Sequence, residues 1–87
     1  MDKETLQKHY DELYNYYNQY KQSELNYTLD SCRNYIYGNK ELYDYILEKI
    51  SAPNPDYYYS ELFTYRYFLK DMKKILLAIK SDIDEME

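Results

Sequence analysis

Residues 54–87, NPDYYYSELFTYRYFLKDMKKILLAIKSDIDEME, decide the fold of this chain. Asn54 can cap a helix, Pro55 suits the first helical position, and Asp56 suits the positive N-terminal end of a helix. Apolar residues then recur in steps of four and three, which predicts a long helix over about 55–84 with a heptad seam. The seam is Tyr58, Leu62, Tyr65, Leu69, Met72, Leu76, Ile79, Ile83 and Met86, widened on one side by Phe68 and Ile75.

The length of this helix predicts the shape of the molecule. At about 1.5 Å per residue it would be about 46 Å long, whereas a compact globule of this chain length is about 30 Å across. Ordering so many residues costs more free energy than burying one seam returns. The seam is therefore expected to pack against the rest of the chain or against a second copy, and the molecule to be elongated.

The N-terminal segment has two apolar seams that do not share a register. Asp2 is a candidate cap for the first helix. The first seam is Leu6, Tyr10, Leu13, Tyr17 and Tyr20, and the second is Leu25, Leu29, Cys32 and Ile36. Their directions differ by roughly 100°, which exceeds the supercoil drift of about 20° per heptad. This predicts a break near residues 21–24 with Ser23 as a candidate new cap; the alternative is one continuous helix whose halves contact different neighbours.

A third helix is predicted between Gly38-Asn39 and Pro53. Asn39 is its candidate cap, Pro53 would end it, and its apolar residues are Leu42, Ile46, Leu47 and Ile50. The prediction is an all-α fold: an elongated antiparallel bundle of three or four helices with a long C-terminal helix that carries the heptad seam. Residues 1–87 form one domain, and the helices span about 3–21, 24–37, 40–51 and 55–84.

The composition of the chain argues against several classes of function. The net charge of −5, from 11 basic and 16 acidic residues, argues against a general binder of phosphate backbones and permits a basic partner. A single glycine excludes a glycine-rich phosphate loop. His9 is expected at the rim of the first seam and Cys32 as a buried thiol. We therefore expect no enzyme, no metal and no cofactor. With no apolar leader or run of about 20 residues, a cytoplasmic location is expected.

Fifteen tyrosines are too many for the core of so short a chain, so a contact surface is expected. The side of the last helix opposite the seam combines rings and cations. Its candidate partner-binding residues are Tyr57, Tyr59, Phe63, Arg66, Tyr67, Lys70 and Lys74, with Lys73 beside them. They would dock an acidic protein surface or a nucleic-acid strand; alternatively the rings pack under the short helix and the lysines are solvated. The acidic tail, residues 81–87, is either a frayed end or an element offered to a basic partner.

The function expected from these features is a small acidic protein-interaction module, an inhibitor or adaptor that occupies a partner's surface. Amino acids with GC-rich codons (Gly, Ala, Pro, Arg) are scarce, and those with AT-rich codons (Asn, Ile, Lys, Tyr) are plentiful. This composition indicates a gene from an AT-rich genome, such as that of a low-GC bacterium or its phage. In size and character, without a shared motif, the protein is similar to phage-encoded anti-CRISPR proteins and bacteriocin immunity proteins. The partner would be another protein, including one that binds nucleic acid, in the host cytoplasm. The alternatives are a nucleic-acid-binding protein and a self-associating structural protein, such as a homodimer.

Overall fold

The computed structural model describes residues 1–49 and 68–86, and these residues form four helices without a strand. The helices are α1 (Lys3–Ser23), α2 (Asn26–Tyr37), α3 (Lys40–Lys49) and α4 (Phe68–Glu85). The predicted all-α fold is confirmed. The predicted beginning of the last helix, 55–67, lies outside the described residues. The Cα positions extend over 35 × 31 × 21 Å, so no single axis dominates.

The connection between α1 and α2 lies where the apolar register changes. The Thr5 N–H donates to the Asp2 carboxylate over 2.8 Å at the start of α1. Glu24 ends the helix in the left-handed region, at φ 53° and ψ 33°, and Leu25 is extended. The expected cap at Ser23 is wrong, because Ser23 is still helical and its hydroxyl donates to the Gln19 carbonyl oxygen.

Leu25 was predicted to pack with the second seam, but its side chain is 54% exposed. It precedes the first turn of α2 in an extended conformation, so the helical spacing on which the prediction depended does not apply to it. The other three members of that seam are buried: Leu29, Cys32 and Ile36.

One core is formed by the inward sides of the four helices. The most extensive contact is between α1 and α4, where the rings of Tyr20 and Phe68 lie 4.7 Å apart between centroids. Helix α2 reaches α4 through Cys32, whose Sγ lies 4.0 Å from the Met72 Sδ. Helix α3 contributes Leu42 and Ile46, which are completely buried. The three earlier helices together cover the inward side of α4.

That inward side is broader than the predicted seam. Four seam members in the described part are buried: Met72, Leu76, Ile79 and Ile83. Phe68 and Ile75, expected at the edge, are also buried, whereas Leu69 is only partly buried and Met86 is 47% exposed. A helix that contacts three neighbours needs such a wide apolar stripe, and Met86 lies beyond the last residue of α4.

His9 is buried between α1 and α2, and the expectation of a rim histidine is wrong. The side chain is 5% exposed, and its Nδ1 lies 2.8 Å from the Tyr35 hydroxyl oxygen. The apolar pattern of α1 alone predicts His9 at the edge of the first seam. In the fold, Tyr35 from α2 covers His9. Burial lowers the pKa of His9, Lys8 lowers it further, and Glu41 opposes the shift.

Two leucines provide a matched test of this core. Leu13 is completely buried and Leu77 is 62% exposed. We expect Leu13→Ala to lower the free energy of unfolding by about 2–5 kcal/mol through lost burial and a cavity, and Leu77→Ala to change it by no more than about 0.5 kcal/mol. Urea denaturation followed by circular dichroism measures both. Equal losses would contradict the assigned orientations of α1 and α4.

The burial of His9 predicts a pH dependence. The folded-state pKa is lowered, so the unfolded chain binds the proton more readily, and stability falls as the pH drops below about 6.5. His9 is the only histidine. We expect the urea concentration at the unfolding midpoint of the native chain to decrease when the pH is lowered from about 7.5 to about 5.5. The same change of pH should lower the midpoint of His9→Gln much less. The same fall in both proteins would show that another group is responsible.

Candidate partner-binding surface

The predicted contact residues divide between the described and undescribed parts of the chain. Lys70 and Lys74 are exposed on α4. The other five lie outside the described residues: Tyr57, Tyr59, Phe63, Arg66 and Tyr67. The combination of rings and cations therefore stays a prediction. The structure shows only that its two lysines, Lys70 and Lys74, are exposed on α4.

The outer side of α4 carries a group of lysines around one exposed leucine. Leu77 is 62% exposed. The lysines stand seven, four and three residues before it and three residues after it, which places them on the same side of the helix. We call this surface the lysine face: Lys70, Lys73, Lys74, Leu77 and Lys80, with all four lysines exposed. Leu77 and Lys80 were missed from the sequence, although Leu77 lies on the side away from the buried stripe and Lys80 lies beside that stripe.

The lysines of the lysine face form no salt bridge in the described part of the chain, whereas Lys40 pairs with Asp44 at 2.7 Å and Lys49 with Asp82 at 3.1 Å. On the same helix, Asp71 adjoins Lys70, and Asp84 stands four residues after Lys80. Burial raises the pKa of Asp71, and the cations of Lys74 and Lys70 oppose that shift. The lysine face therefore offers its positive charge to solvent.

The described carboxylates of the acidic tail differ in their surroundings. The Tyr45 hydroxyl donates to Asp82, and the Lys49 ammonium lies 3.1 Å from the same carboxylate oxygen. The hydrogen bond from Tyr45 is the main cause of the lowered pKa of Asp82, with Lys49 contributing. Burial, followed by this hydrogen bond, raises the pKa of Tyr45. Asp82 thus fastens α3 to α4, while Asp84 and Glu85 are exposed.

Most of the described tyrosines help to build the fold. Tyr20 is buried, and six others pack partly buried against the core: Tyr10, Tyr16, Tyr17, Tyr35, Tyr43 and Tyr45. Only three described tyrosines are exposed, namely Tyr14 at 45%, Tyr27 at 72% and Tyr37 at 46%. Tyr16, Tyr43 and Tyr45 lie beside the strict seams and still pack partly buried against the core, whereas Tyr57, Tyr59 and Tyr67 lie outside the described residues.

Three tyrosines of α1 form a continuous row. The rings of Tyr10 and Tyr14 are stacked with centroids 5.8 Å apart and planes inclined by 23°, and Tyr17 lies 6.4 Å from Tyr14. The Lys21 ammonium lies 6.0 Å from the centroid of the Tyr17 ring. We call these three residues the tyrosine row. Tyr10 and Tyr17 belong to the first predicted seam, and Tyr14 lies beside that seam, four residues after Tyr10.

Other chemistry has little support in the described residues. Burial raises the pKa of the Cys32 thiol to about 12, with a small opposing effect of Arg33, so the thiol is protonated and serves packing. Within residues 1–49 and 68–86, no three histidine, cysteine or carboxylate side chains are placed to hold a metal ion. Nor is any described helix both long and apolar enough to cross a bilayer.

Comparison with known proteins does not assign the chain to a family. No protein family, curated protein or solved structure matches it.

Proposed function

We propose that this protein is a non-enzymatic interaction module, an inhibitor or adaptor, whose lysine face occupies an acidic surface of a partner protein. The observation that carries the proposal is the group of exposed lysines around Leu77 on α4, none of which forms a salt bridge within residues 1–49 and 68–86. A phage-type inhibitor of host defence, such as an anti-CRISPR protein, would act in this way by covering a surface of its target protein. An immunity-like protein would also work by covering a surface.

The charge distribution supports a specific face rather than a general attraction. The chain as a whole carries a net charge of −5, so a cationic surface on α4 is local and would orient an acidic partner as it approaches. Exposed surface charges contribute mainly to association rate and specificity. Affinity needs an apolar anchor, and burying a leucine such as Leu77 contributes roughly 1.5–3 kcal/mol.

A nucleic-acid strand is the second candidate partner of the same face. Lysines that follow one side of a helix can contact successive phosphates, and such binding weakens steeply with salt. The overall negative charge opposes this alternative. Self-association through the α4 seam has less support, because the described apolar residues between Phe68 and Ile83 that would form it are largely covered within the monomer.

Binding to the lysine face can be tested with a labelled amphipathic peptide that carries glutamates around a central row of leucines and imitates an acidic partner surface. We expect the full-length protein to bind it, and Lys74→Glu to weaken binding about tenfold or more, which corresponds to about 1.4 kcal/mol. The matched control is Lys8→Glu, an exposed lysine of α1 whose substitution makes the same change in net charge. Fluorescence anisotropy at several salt concentrations measures both.

Equal weakening by Lys74→Glu and Lys8→Glu would show that only net charge matters and would contradict a specific face. A single-stranded DNA oligonucleotide tested beside the peptide distinguishes the two partner classes. Tighter binding of the oligonucleotide, lost in Lys74→Glu, would favour the nucleic-acid alternative. Binding of neither probe would overturn the use of the lysine face.

A further inference from the structure

The described tyrosines differ in how their hydroxyl groups are used. The Tyr35 hydroxyl contacts His9, and the Tyr45 hydroxyl donates to Asp82. Within residues 1–49 and 68–86, by contrast, the hydroxyls of the tyrosine row make no hydrogen bond. A tyrosine in a protein normally finds a partner for its hydroxyl when it is covered. The tyrosine row is thus held by ring contacts, without hydroxyl hydrogen bonds to other described residues.

The row already holds one cation at its end. The Lys21 ammonium lies over the Tyr17 ring, and Lys49 lies in the same way over Tyr45, at 5.4 Å from the ring centroid. Aromatic faces attract cations through their quadrupole, and arginine uses such faces most often. Tyr14, in the middle of the row, is 45% exposed. Its ring is therefore the part of the row that is open to a cation from outside the chain.

A carboxylate stands beside this open ring. Asp11 precedes Tyr14 by three residues, so the two side chains neighbour each other on the surface of α1. Asp11 is exposed, and one of its oxygens accepts a hydrogen bond from the Gln7 side-chain amide at 3.0 Å. No cation pairs with Asp11 among the residues that the structure describes. Its second oxygen is available for a charged donor.

We propose that the tyrosine row and Asp11 form a docking site for an arginine-bearing segment of a basic partner protein. The guanidinium plane would stack on Tyr14 while its N–H groups donate to Asp11, a combination that arginine makes better than lysine because its charged group is flat and has several donors. The net charge of −5 complements a basic segment. This site is independent of the lysine face, and with both faces occupied the protein would act as an adaptor between partners of opposite charge.

A labelled arginine-rich peptide, titrated into the full chain and followed by fluorescence anisotropy, tests the site. We expect Tyr14→Leu to weaken binding about threefold or more and Tyr14→Phe to preserve most of it, because the ring face is what attracts the cation. Asp11→Asn should also weaken binding. Tyr27→Leu is the matched control, since Tyr27 is 72% exposed and makes no ring contact with another described residue. A lysine-rich peptide of equal charge should bind less tightly than the arginine peptide.

Several outcomes would overturn the proposal. One is that the native chain and Tyr14→Leu bind the arginine peptide equally well. Another is that Tyr27→Leu loses as much affinity for this peptide as Tyr14→Leu does. A third is that the native chain binds the lysine and arginine peptides with equal affinity. Binding of a single-stranded RNA oligonucleotide instead of the peptide would show that the row stacks bases. Lys74→Glu should not weaken binding of the arginine peptide, so failure of this site is distinguishable from failure of the lysine face. Circular dichroism of each variant confirms that it is folded.

Discussion

The packing of α1 against α4 joins the two ends of the chain and positions everything else. Tyr20, near the end of α1, meets Phe68 at the start of α4. Helix α2 packs on α1, where Tyr35 contacts His9, and α3 is joined to α4 by the Tyr45–Asp82–Lys49 group. Because the apolar sides of α1 and α4 are turned toward each other, the lysine face points outward and the tyrosine row lies along a flank of α1.

The buried sides of the helices could be predicted from the sequence because they follow directly from helical spacing. Leu6, Leu13 and Ile79 are buried where the pattern placed them. The change of register near residue 21 likewise indicated the turn at Glu24. The errors occurred where a neighbouring helix or a local turn decides the outcome: Tyr35 covers His9, and Leu25 is exposed because it lies outside regular helix.

The candidate surfaces were less accessible to sequence reasoning. Lys70 and Lys74 could be assigned to the outer side of the last helix, since the seam fixes its opposite side. Asp82 was grouped with the other tail carboxylates, because its bond to Tyr45 depends on where α3 ends in space. The tyrosine row was missed for a related reason: spacing shows which rings are neighbours on one helix, but only packing shows that the Tyr14 ring stays exposed.

A double-mutant cycle on Tyr20 and Phe68 tests the central contact most directly. The stabilities of Tyr20→Leu, Phe68→Leu and the double variant, from urea denaturation, give the coupling between the two rings. If the two rings pack as described, the coupling is favourable by about 0.5–1.5 kcal/mol, and Phe68→Leu shows no coupling with Tyr27→Leu. Additive effects of Tyr20→Leu and Phe68→Leu, within about 0.3–0.5 kcal/mol, would contradict the packing of α1 on α4.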